Sequence, residues 1–236
     1  MSRRQIDLSL GQCWQEFTAT NEVLLATDLP EISVDENTFA DLANLCCMEG
    51  IKQQGPYHDG CWHILSLMAP DGAPGLQDVN YVAKYLPTPV LAKYPRIARF
   101  LFSLDGSLRR VRISRLKSGG QITWHVDDFQ EKTGEKVFRI HIPIITSAEN
   151  FQVIGHYCSH WSTREIWLGD YRFPHMVVNN SANDRFHLIV DLVPSDALVT
   201  EVNKTFQCDW FGAERSRLAQ TAKEMLLRWR SSNGSR

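Results

Sequence analysis

Apolar residues recur along the chain with two different spacings, and each spacing predicts a different kind of element. In residues 1–105, helical spacing alternates with turn residues. Asp35 and Thr88 are good helix caps, and Pro89 fits the first position of a helix. The pattern predicts three elements in this part: a helix over 35–50, a strand over 62–68, and a helix over 88–101 with a kink at Pro95.

Beyond residue 108 the apolar residues form short runs of the kind that strands show. Gly, Asn, Asp and Ser residues, which favour turns, separate the runs. The runs cover 109–116, 122–129, 137–145, 151–158, 164–168, 175–179 and 185–193. Because seven or eight strands follow one another without an intervening helix, they predict a sandwich or a closed barrel.

The last part of the chain predicts an amphipathic helix over 211–229. Its apolar residues fall on one face, and Arg and Lys occupy the other. Such a helix packs either on the barrel or on a second subunit, so a homodimer is one alternative. The basic face is interpreted as a solvated surface.

Length and composition narrow the class of protein. With 236 residues the chain fits one domain, with a helical and β-strand cover in 1–105, the β core in 106–195 and a C-terminal helical segment in 196–236. Hydrophobic residues make up 43% and charged residues 22%, which excludes a disordered chain. A net charge of −2 argues against nucleic acid or a membrane surface as partner. No apolar run approaches the roughly 18 residues of a membrane span and no secretory signal is recognised, so we expect a cytoplasmic protein.

Three side chains have the spacing of a metal site. His125 and Asp127 point to the same face of a strand, because residues i and i+2 do so, but chance alone gives about one such pair in a chain of this composition. A third candidate ligand, His175, lies on a later predicted strand. Two neutral imidazoles and one carboxylate on one face of an octahedron hold Fe(II) and leave three adjacent positions open. Oxygen chemistry needs such open positions.

Arg185 precedes an apolar run over 186–190, so its guanidinium lies at the start of a core strand. An arginine is seldom buried without an anion. One candidate anion is a dicarboxylate co-substrate, whose distal carboxylate a guanidinium can bind through two hydrogen bonds. The other is an internal acid, Asp170 or Asp184.

Together with their neighbours, these residues resemble the aspartyl/asparaginyl β-hydroxylase family of Fe(II)- and 2-oxoglutarate-dependent dioxygenases, including its bacterial members that hydroxylate free amino acids. The resemblance covers residues 109–193. It is carried by the segments 115–120, 124–127, 139–144, 169–170, 173–181 and 185–191, which read RLKSGG, WHVD, RIHIPI, GD, FPHMVVNNS and RFHLIVD.

The resemblance implies a mainly β protein with flanking helices, built on a double-stranded β-helix or jelly roll. It implies an enzyme that uses Fe(II), 2-oxoglutarate and O₂ to hydroxylate an unactivated C–H bond, with release of succinate and CO₂. The metal would be bound by His125, Asp127 and His175. Arg185 would bind the side-chain carboxylate of 2-oxoglutarate.

Further contacts to 2-oxoglutarate are implied for Ser114, Arg139 and His141. Strand alternation agrees, because Arg139 and His141 share one face of their run, while Phe138 and Ile140 share the other. From the residues alone, the favoured interpretation of His141 is a core histidine that donates to a backbone carbonyl; the resemblance favours the contact to 2-oxoglutarate instead.

The resemblance also implies a small polar substrate, a free amino acid or a close derivative. Its carboxylate needs a cation, for which Arg112 is the first candidate and Arg172 the second, and Trp124 is a candidate wall of the substrate site. Some animal members have no carboxylate between their two histidines, so Asp127 places this chain nearer the bacterial group. Two alternatives stay open: a hydroxylase directed at peptides or proteins, and a non-catalytic jelly roll that binds a small ligand.

Overall fold

The computed structural model describes residues 24–29, 31–53, 55–58, 60–73, 83–127 and 134–233, and strands dominate this part of the chain. The strands are β1 (Ala26–Asp28), β2 (Ile51–Lys52), β3 (Trp62–Pro70), β4 (Tyr85–Pro87), β5 (Gly106–Leu116), β6 (Gln121–His125), β7 (Phe138–Ile145), β8 (Asn150–Ile154), β9 (Tyr157–Ser159), β10 (Trp167–Gly169), β11 (His175–Asn179) and β12 (Arg185–Pro194). The α-helices are α1 (Glu36–Leu45), α2 (Pro95–Phe102), α3 (Asp196–Phe206) and α4 (Ala213–Asn233), and a 3-10 helix covers Leu91–Lys93.

The strands form two antiparallel sheets on opposite sides of one cavity. The larger sheet has the order β1-β10-β7-β12-β5-β3-β2, with β4 paired to β3, and the smaller has the order β6-β11-β8-β9. Residues of β5, β7 and β12 line the cavity together with residues of β6, β8 and β11. This architecture confirms the predicted fold class, a mainly β jelly roll with flanking helices.

Side-chain alternation gives the larger sheet one apolar face and one polar face. The apolar residues of β5, β7 and β12 pack against helices α1, α2 and α3 in the main core, as Ile140 and Leu188 illustrate. The residues between them, such as Arg139 and His141, face the cavity instead. Phe138 and Ile140 lie in the main core, whereas Arg139 and His141 line the cavity, as the predicted alternation requires.

The C-terminal helix α4 packs on the outer face of the smaller sheet. Its Ala222 and Leu226 are buried in a second core with Trp124 and Met176. The apolar face of α4 is thus covered by the barrel of its own chain, and a homodimer stays a prediction. In the part of the chain that the structure describes, no helix combines the length and the apolar character needed to span a lipid bilayer.

Three local features differ from the sequence-based expectation. Pro95 begins α2 at its first turn instead of kinking a longer helix, because the residues before it form only a 3-10 turn. A turn at Gly155, with φ +54°, divides the predicted strand 151–158 into β8 and β9. The predicted C-terminal helical segment 196–236 contains a further helix, α3, besides the amphipathic helix that the apolar pattern located at 211–229, and Ser195 caps α3 by accepting a hydrogen bond from the Leu198 N–H at 3.1 Å. The end of the predicted strand 122–129 lies outside the described residues.

Asn179, at the end of β11, ties the smaller sheet to the larger one. Its amide nitrogen donates to the carbonyls of Leu116 and Lys117, both at 3.0 Å. Its side-chain oxygen accepts from Asn150 at 2.6 Å and from the Ser181 hydroxyl at 2.7 Å. Because Asn179 is fully buried, water cannot replace these partners.

We expect Asn179→Ala to lower the free energy of unfolding by about 2–4 kcal/mol, because it leaves several buried polar groups without partners. For a chain of this length that corresponds to a fall of about 5–15 °C in Tm. Thermal unfolding followed by circular dichroism measures the effect. Asn44→Ala, at an exposed position on α1, is the matched control and should change stability by less than about 0.5 kcal/mol. Equal Tm values for the two variants would contradict the role given to Asn179.

Candidate metal and anion site

The three predicted metal ligands meet where the ends of two paired strands lie side by side. His125 ends β6 and His175 begins β11, and the two residues are direct cross-strand partners with ring centroids 4.0 Å apart. Asp127 follows β6 by two residues, and its N–H donates to the Tyr171 carbonyl at 3.0 Å. The candidate ligand atoms of the three residues all lie within 4.8 Å of one another.

Backbone carbonyls orient both imidazole rings. The Nδ1 of His125 lies 2.7 Å from the Thr123 carbonyl, and the Nδ1 of His175 lies 3.0 Å from the Phe173 carbonyl. Because a carbonyl only accepts, each Nδ1 carries the proton, and each Nε2 keeps a lone pair for a metal. The Nε2 of His175 lies 3.7 Å from a carboxylate oxygen of Asp127.

Burial keeps both histidines in the neutral form that binds metals. It lowers the pKa of His125 to about 4 and the pKa of His175 well below its usual value. The donor set is then two neutral imidazoles and one carboxylate, and their ligand atoms lie close together. Side chains of this chemistry fit a divalent transition metal and leave coordination positions open on the cavity side.

The cavity next to these ligands has a volume of about 150 Å³ and is rich in cationic side chains. Four arginines line it: Arg110 and Arg112 from β5, Arg139 from β7 and Arg185 from β12. Ser114 lines it as well, with a hydroxyl that accepts from the Trp62 indole N–H at 2.8 Å. A cavity with this lining attracts an anion.

Arg185 is only 3% exposed, and its guanidinium contacts two neutral side chains, Gln152 at 3.3 Å and the Nδ1 of His187 at 3.1 Å. Burial lowers its pKa to about 10. No described carboxylate forms an ion pair with it. The two acids that the sequence offered as partners bind other arginines, because Asp184 pairs with Arg115 and Asp170 with Arg172 and Arg215.

Asp191, on the cavity side of β12, holds two of the other arginines. Its carboxylate accepts from Arg139 at 2.6 and 2.9 Å and from Arg112 at 3.0 Å. Burial by itself would raise the pKa of Asp191, but the charges of Arg139 and Arg112 outweigh it and hold the pKa below its usual range. Arg139 also donates to the carboxylate of Asp127, so the network reaches the metal ligands.

His141 stands among buried polar atoms that have no hydrogen-bond partner in the described structure. Neither of its ring nitrogens has one, and the same is true of the Tyr171 hydroxyl and the amide nitrogen of Gln152. The His141 ring stacks on Tyr171 with centroids 5.0 Å apart. Burial and the nearby charge of Arg185 lower the pKa of His141 well below its usual value. Buried polar groups are nearly always hydrogen-bonded, so this cluster fits a ligand that carries several oxygens.

Two predicted substrate contacts lie outside the cavity lining. Trp124 alternates with His125 on β6, so it faces the other way and packs in the core below α4, which corrects its assignment as a wall of the substrate site. The guanidinium of Arg172 is held by Asp170 at 2.8 and 2.7 Å and by the Trp210 carbonyl at 2.7 Å. Arg172 borders a separate cleft of about 40 Å³ behind Asp127.

Several residues that the fold brings to the site have no role that the sequence pattern predicts. Arg110 is two residues from Arg112 on β5, so strand alternation predicts that both face the cavity. Asp191 is six residues from Arg185 on β12, and alternation places it on the same face as Arg185 up to the bulge between Val190 and Leu192. No sequence signal pointed to Tyr171 or Gln152. The ring of Tyr57 stacks on the ring of His125, with centroids 5.3 Å apart. Tyr57 lies in a loop whose sequence has no periodic pattern.

We expect the wild-type protein to bind one Co²⁺ ion, and His175→Ala to weaken this binding by more than the roughly 10–100-fold typical of substitutions outside the ligand set. Isothermal titration calorimetry measures the affinity. Because burial has lowered both histidine pKa values, binding should persist at pH 6, where ordinary histidines are largely protonated. His156→Ala, at an exposed position, is the control. Equal affinity in both variants would exclude His175 as a ligand.

The family model described as Aspartyl/Asparaginyl beta-hydroxylase matches residues 32–194. The comparison with curated proteins finds no match. A solved oxidoreductase of the 2OG-Fe(II) oxygenase family from Burkholderia pseudomallei is 15% identical, with a TM-score of 0.52 over 75% of this chain and 89% of that chain. At this identity the similarity supports the jelly-roll fold alone.

Two further solved structures are more distant. A prolyl-4-hydroxylase from Pseudomonas putida is 11% identical, with a TM-score of 0.45 over 79% of this chain and 99% of that chain. The epimerase SnoN, in complex with Fe3+, alpha ketoglutarate and nogalamycin RO, is 13% identical, with a TM-score of 0.44 over 78% of this chain and 84% of that chain. The family match, by contrast, spans more than half of the chain and includes His125, Asp127, His175 and Arg185. This chain therefore belongs to the aspartyl/asparaginyl β-hydroxylase family of Fe(II)- and 2-oxoglutarate-dependent dioxygenases.

Proposed function

We propose that this dioxygenase hydroxylates a small polar substrate, a free amino acid or a close derivative, and releases succinate and CO₂. One observation carries the proposal. A His-Asp-His ligand set opens into the same cavity as Arg185, a buried arginine with no described carboxylate partner. The first group suits a metal and the second suits a dicarboxylate, which are the two components that this chemistry requires.

In the proposal, His125, Asp127 and His175 bind Fe(II). Bound iron with 2-oxoglutarate and O₂ supplies the oxidising power that turns a C–H bond into an alcohol. The protein's own contribution to the metal is orientation. The carbonyls of Thr123 and Phe173 fix the two rings, and the ring of Tyr57 covers His125.

Arg185 and Ser114 bind the distal carboxylate of 2-oxoglutarate in the proposal. Both side chains face the cavity from adjacent strands of the larger sheet, which supports the pairing. Arg139 and His141 contact the end nearer the metal. Arg139 already touches the Asp127 carboxylate, and the buried nitrogens of His141 have no other described partner. These hydrogen bonds hold the co-substrate in one orientation.

The size and walls of the cavity support a small substrate. At about 150 Å³ it is below the roughly 300–1,000 Å³ of pockets that enclose drug-sized ligands. Ile122, Val177 and Ile189 contribute apolar surface to the lining, which helps to exclude water from the reaction. A peptide-directed hydroxylase and a non-catalytic binding module are the alternatives. The intact metal ligands count against the second.

We expect Arg185→Gln to weaken 2-oxoglutarate binding by roughly 2–4 kcal/mol, because it removes a charge-assisted contact in a buried site. Calorimetric titration of 2-oxoglutarate into the Mn²⁺-loaded protein measures the loss, and Mn²⁺ affinity should stay unchanged. The control is Arg115→Gln, which removes a paired arginine on the other face of the same sheet. If Arg185→Gln binds 2-oxoglutarate normally, the proposed role of this residue is wrong.

We expect free amino acids or their derivatives to gain one oxygen atom when they are incubated with the Fe(II)-loaded enzyme, 2-oxoglutarate and ¹⁸O₂ in buffer that contains chloride. Mass spectrometry reads the product, and succinate formation confirms coupling. Because Asp127 occupies a coordination position, a halide has no place on the metal, so the product should carry ¹⁸O and no chlorine. Turnover of peptides alone would favour the peptide-directed alternative. Absence of any succinate would favour the binding module.

A further inference from the structure

The cavity has two cationic ends that lie far apart along the larger sheet. At one end, Arg185 pairs in register with Leu116, and further along the same pair of strands, Ile189 pairs with Arg112. Four residues separate the two positions, which is about 13 Å at a rise of roughly 3.3 Å per residue. Arg110 lies two residues beyond Arg112 on the same face of β5 and also lines the cavity.

Arg110 differs from the other arginines at its end of the cavity because no acidic side chain among the described residues pairs with it. Arg112 and Arg139 share the carboxylate of Asp191. Arg110 forms no ion pair with any described carboxylate, and one of its terminal nitrogens is buried without a hydrogen-bond partner. The Nε of Arg112 is likewise buried and has no hydrogen-bond partner in the part of the chain that the structure describes, although its Nη1 donates to Asp191. Two cationic residues that line the same cavity therefore each have a buried donor with no partner among the described residues.

The electrostatic surroundings of Arg110 disfavour its charge in the absence of an anion. Burial, and after it the neighbouring charge of Arg112, lowers the pKa of Arg110 to about 9. An anion between Arg110 and Arg112 would remove this repulsion and satisfy both orphaned donors. The proposed function assigns Arg185 and the metal ligands to the two ends of 2-oxoglutarate, so the co-substrate does not account for Arg110.

We propose that Arg110, together with the Nε of Arg112, forms a second anion subsite that binds a carboxylate of the substrate. The inference rests on the proposed function, which supplies the place of 2-oxoglutarate. It makes Arg110 a specificity-determining residue. A substrate with a carboxylate at this position is favoured, and the corresponding carboxamide or ester is disfavoured because it would leave the arginine charge buried without compensation.

Trifluoroacetate tests the subsite without knowledge of the substrate. The zinc-loaded protein, saturated with 2-oxoglutarate, is titrated with trifluoroacetate and binding is followed by ¹⁹F NMR; neutral trifluoroacetamide is titrated in parallel. We expect the wild-type protein to bind the carboxylate and not the amide. Arg110→Gln should weaken trifluoroacetate binding roughly tenfold or more, and Arg110→Lys should fall between. The exposed Arg99 gives a charge-matched control, and Arg99→Gln should behave as wild type.

Each contrary outcome has a definite meaning. Wild-type affinity in a folded Arg110→Gln variant would overturn the subsite, as would a wild-type protein that fails to bind trifluoroacetate. Loss of binding in Arg185→Gln alone would place the probe in the co-substrate position and also overturn it. Calorimetry of 2-oxoglutarate on the same samples separates the two proposals. If 2-oxoglutarate does not bind, the proposed function fails, whereas normal 2-oxoglutarate binding without an effect of Arg110 defeats only the subsite.

Discussion

The polar interior of this protein depends on the ion pairs that the carboxylate of Asp191 forms with Arg112 and Arg139. Four arginines face one small cavity, and their mutual repulsion inside a protein is far larger than in water. Asp191 is 1% exposed and compensates two of these charges at once. It holds Arg139, which in turn contacts the candidate metal ligand Asp127. The cavity can therefore remain strongly cationic without driving the two sheets apart.

The jelly roll accommodates these buried charges because the central strands of the larger sheet have one face in the apolar core and the other face on the cavity. One face of β5, β7 and β12 is apolar and packs below three helices, where hydrophobic burial stabilises the fold. The opposite face is free to carry the polar groups of the site. Substitutions on one face should therefore affect stability, and substitutions on the other should affect binding. A shift of one residue in strand register would exchange the two faces, so the site is only as well defined as the pairing of these strands.

The metal site and the anion sites come from different parts of this framework. The candidate metal ligands lie at or just beyond the adjoining ends of β6 and β11 in the smaller sheet, whereas the arginines and Ser114 lie along the larger sheet. A ligand held by both groups would bridge the two sheets across the cavity. Asn179 provides a permanent bridge at another point.

Much of the strand framework followed from the sequence, because alternation and turn residues are local properties of the chain. The predicted runs at 109–116, 137–145, 175–179 and 185–193 match the observed strands closely, and the long C-terminal helix was recognised from its apolar face. Strands of two or three residues, such as β1 and β2, show no period and were missed. The error over Trp124 was avoidable, since its neighbour His125 had already fixed which face of β6 is inward.

What the sequence determined by itself was the identity of the metal-capable residues and the side of each strand on which they lie, because both are fixed within a few residues. Which distant residues meet was decided only by the tertiary structure. Because Asp184 pairs with Arg115 and Asp170 pairs with Arg172, Arg185 has no acidic partner among the described residues, and no rule based on sequence spacing predicts that outcome. Ion pairing is a competition among all charges that the fold brings within reach, so its outcome depends on strand order and register and not on distance along the chain.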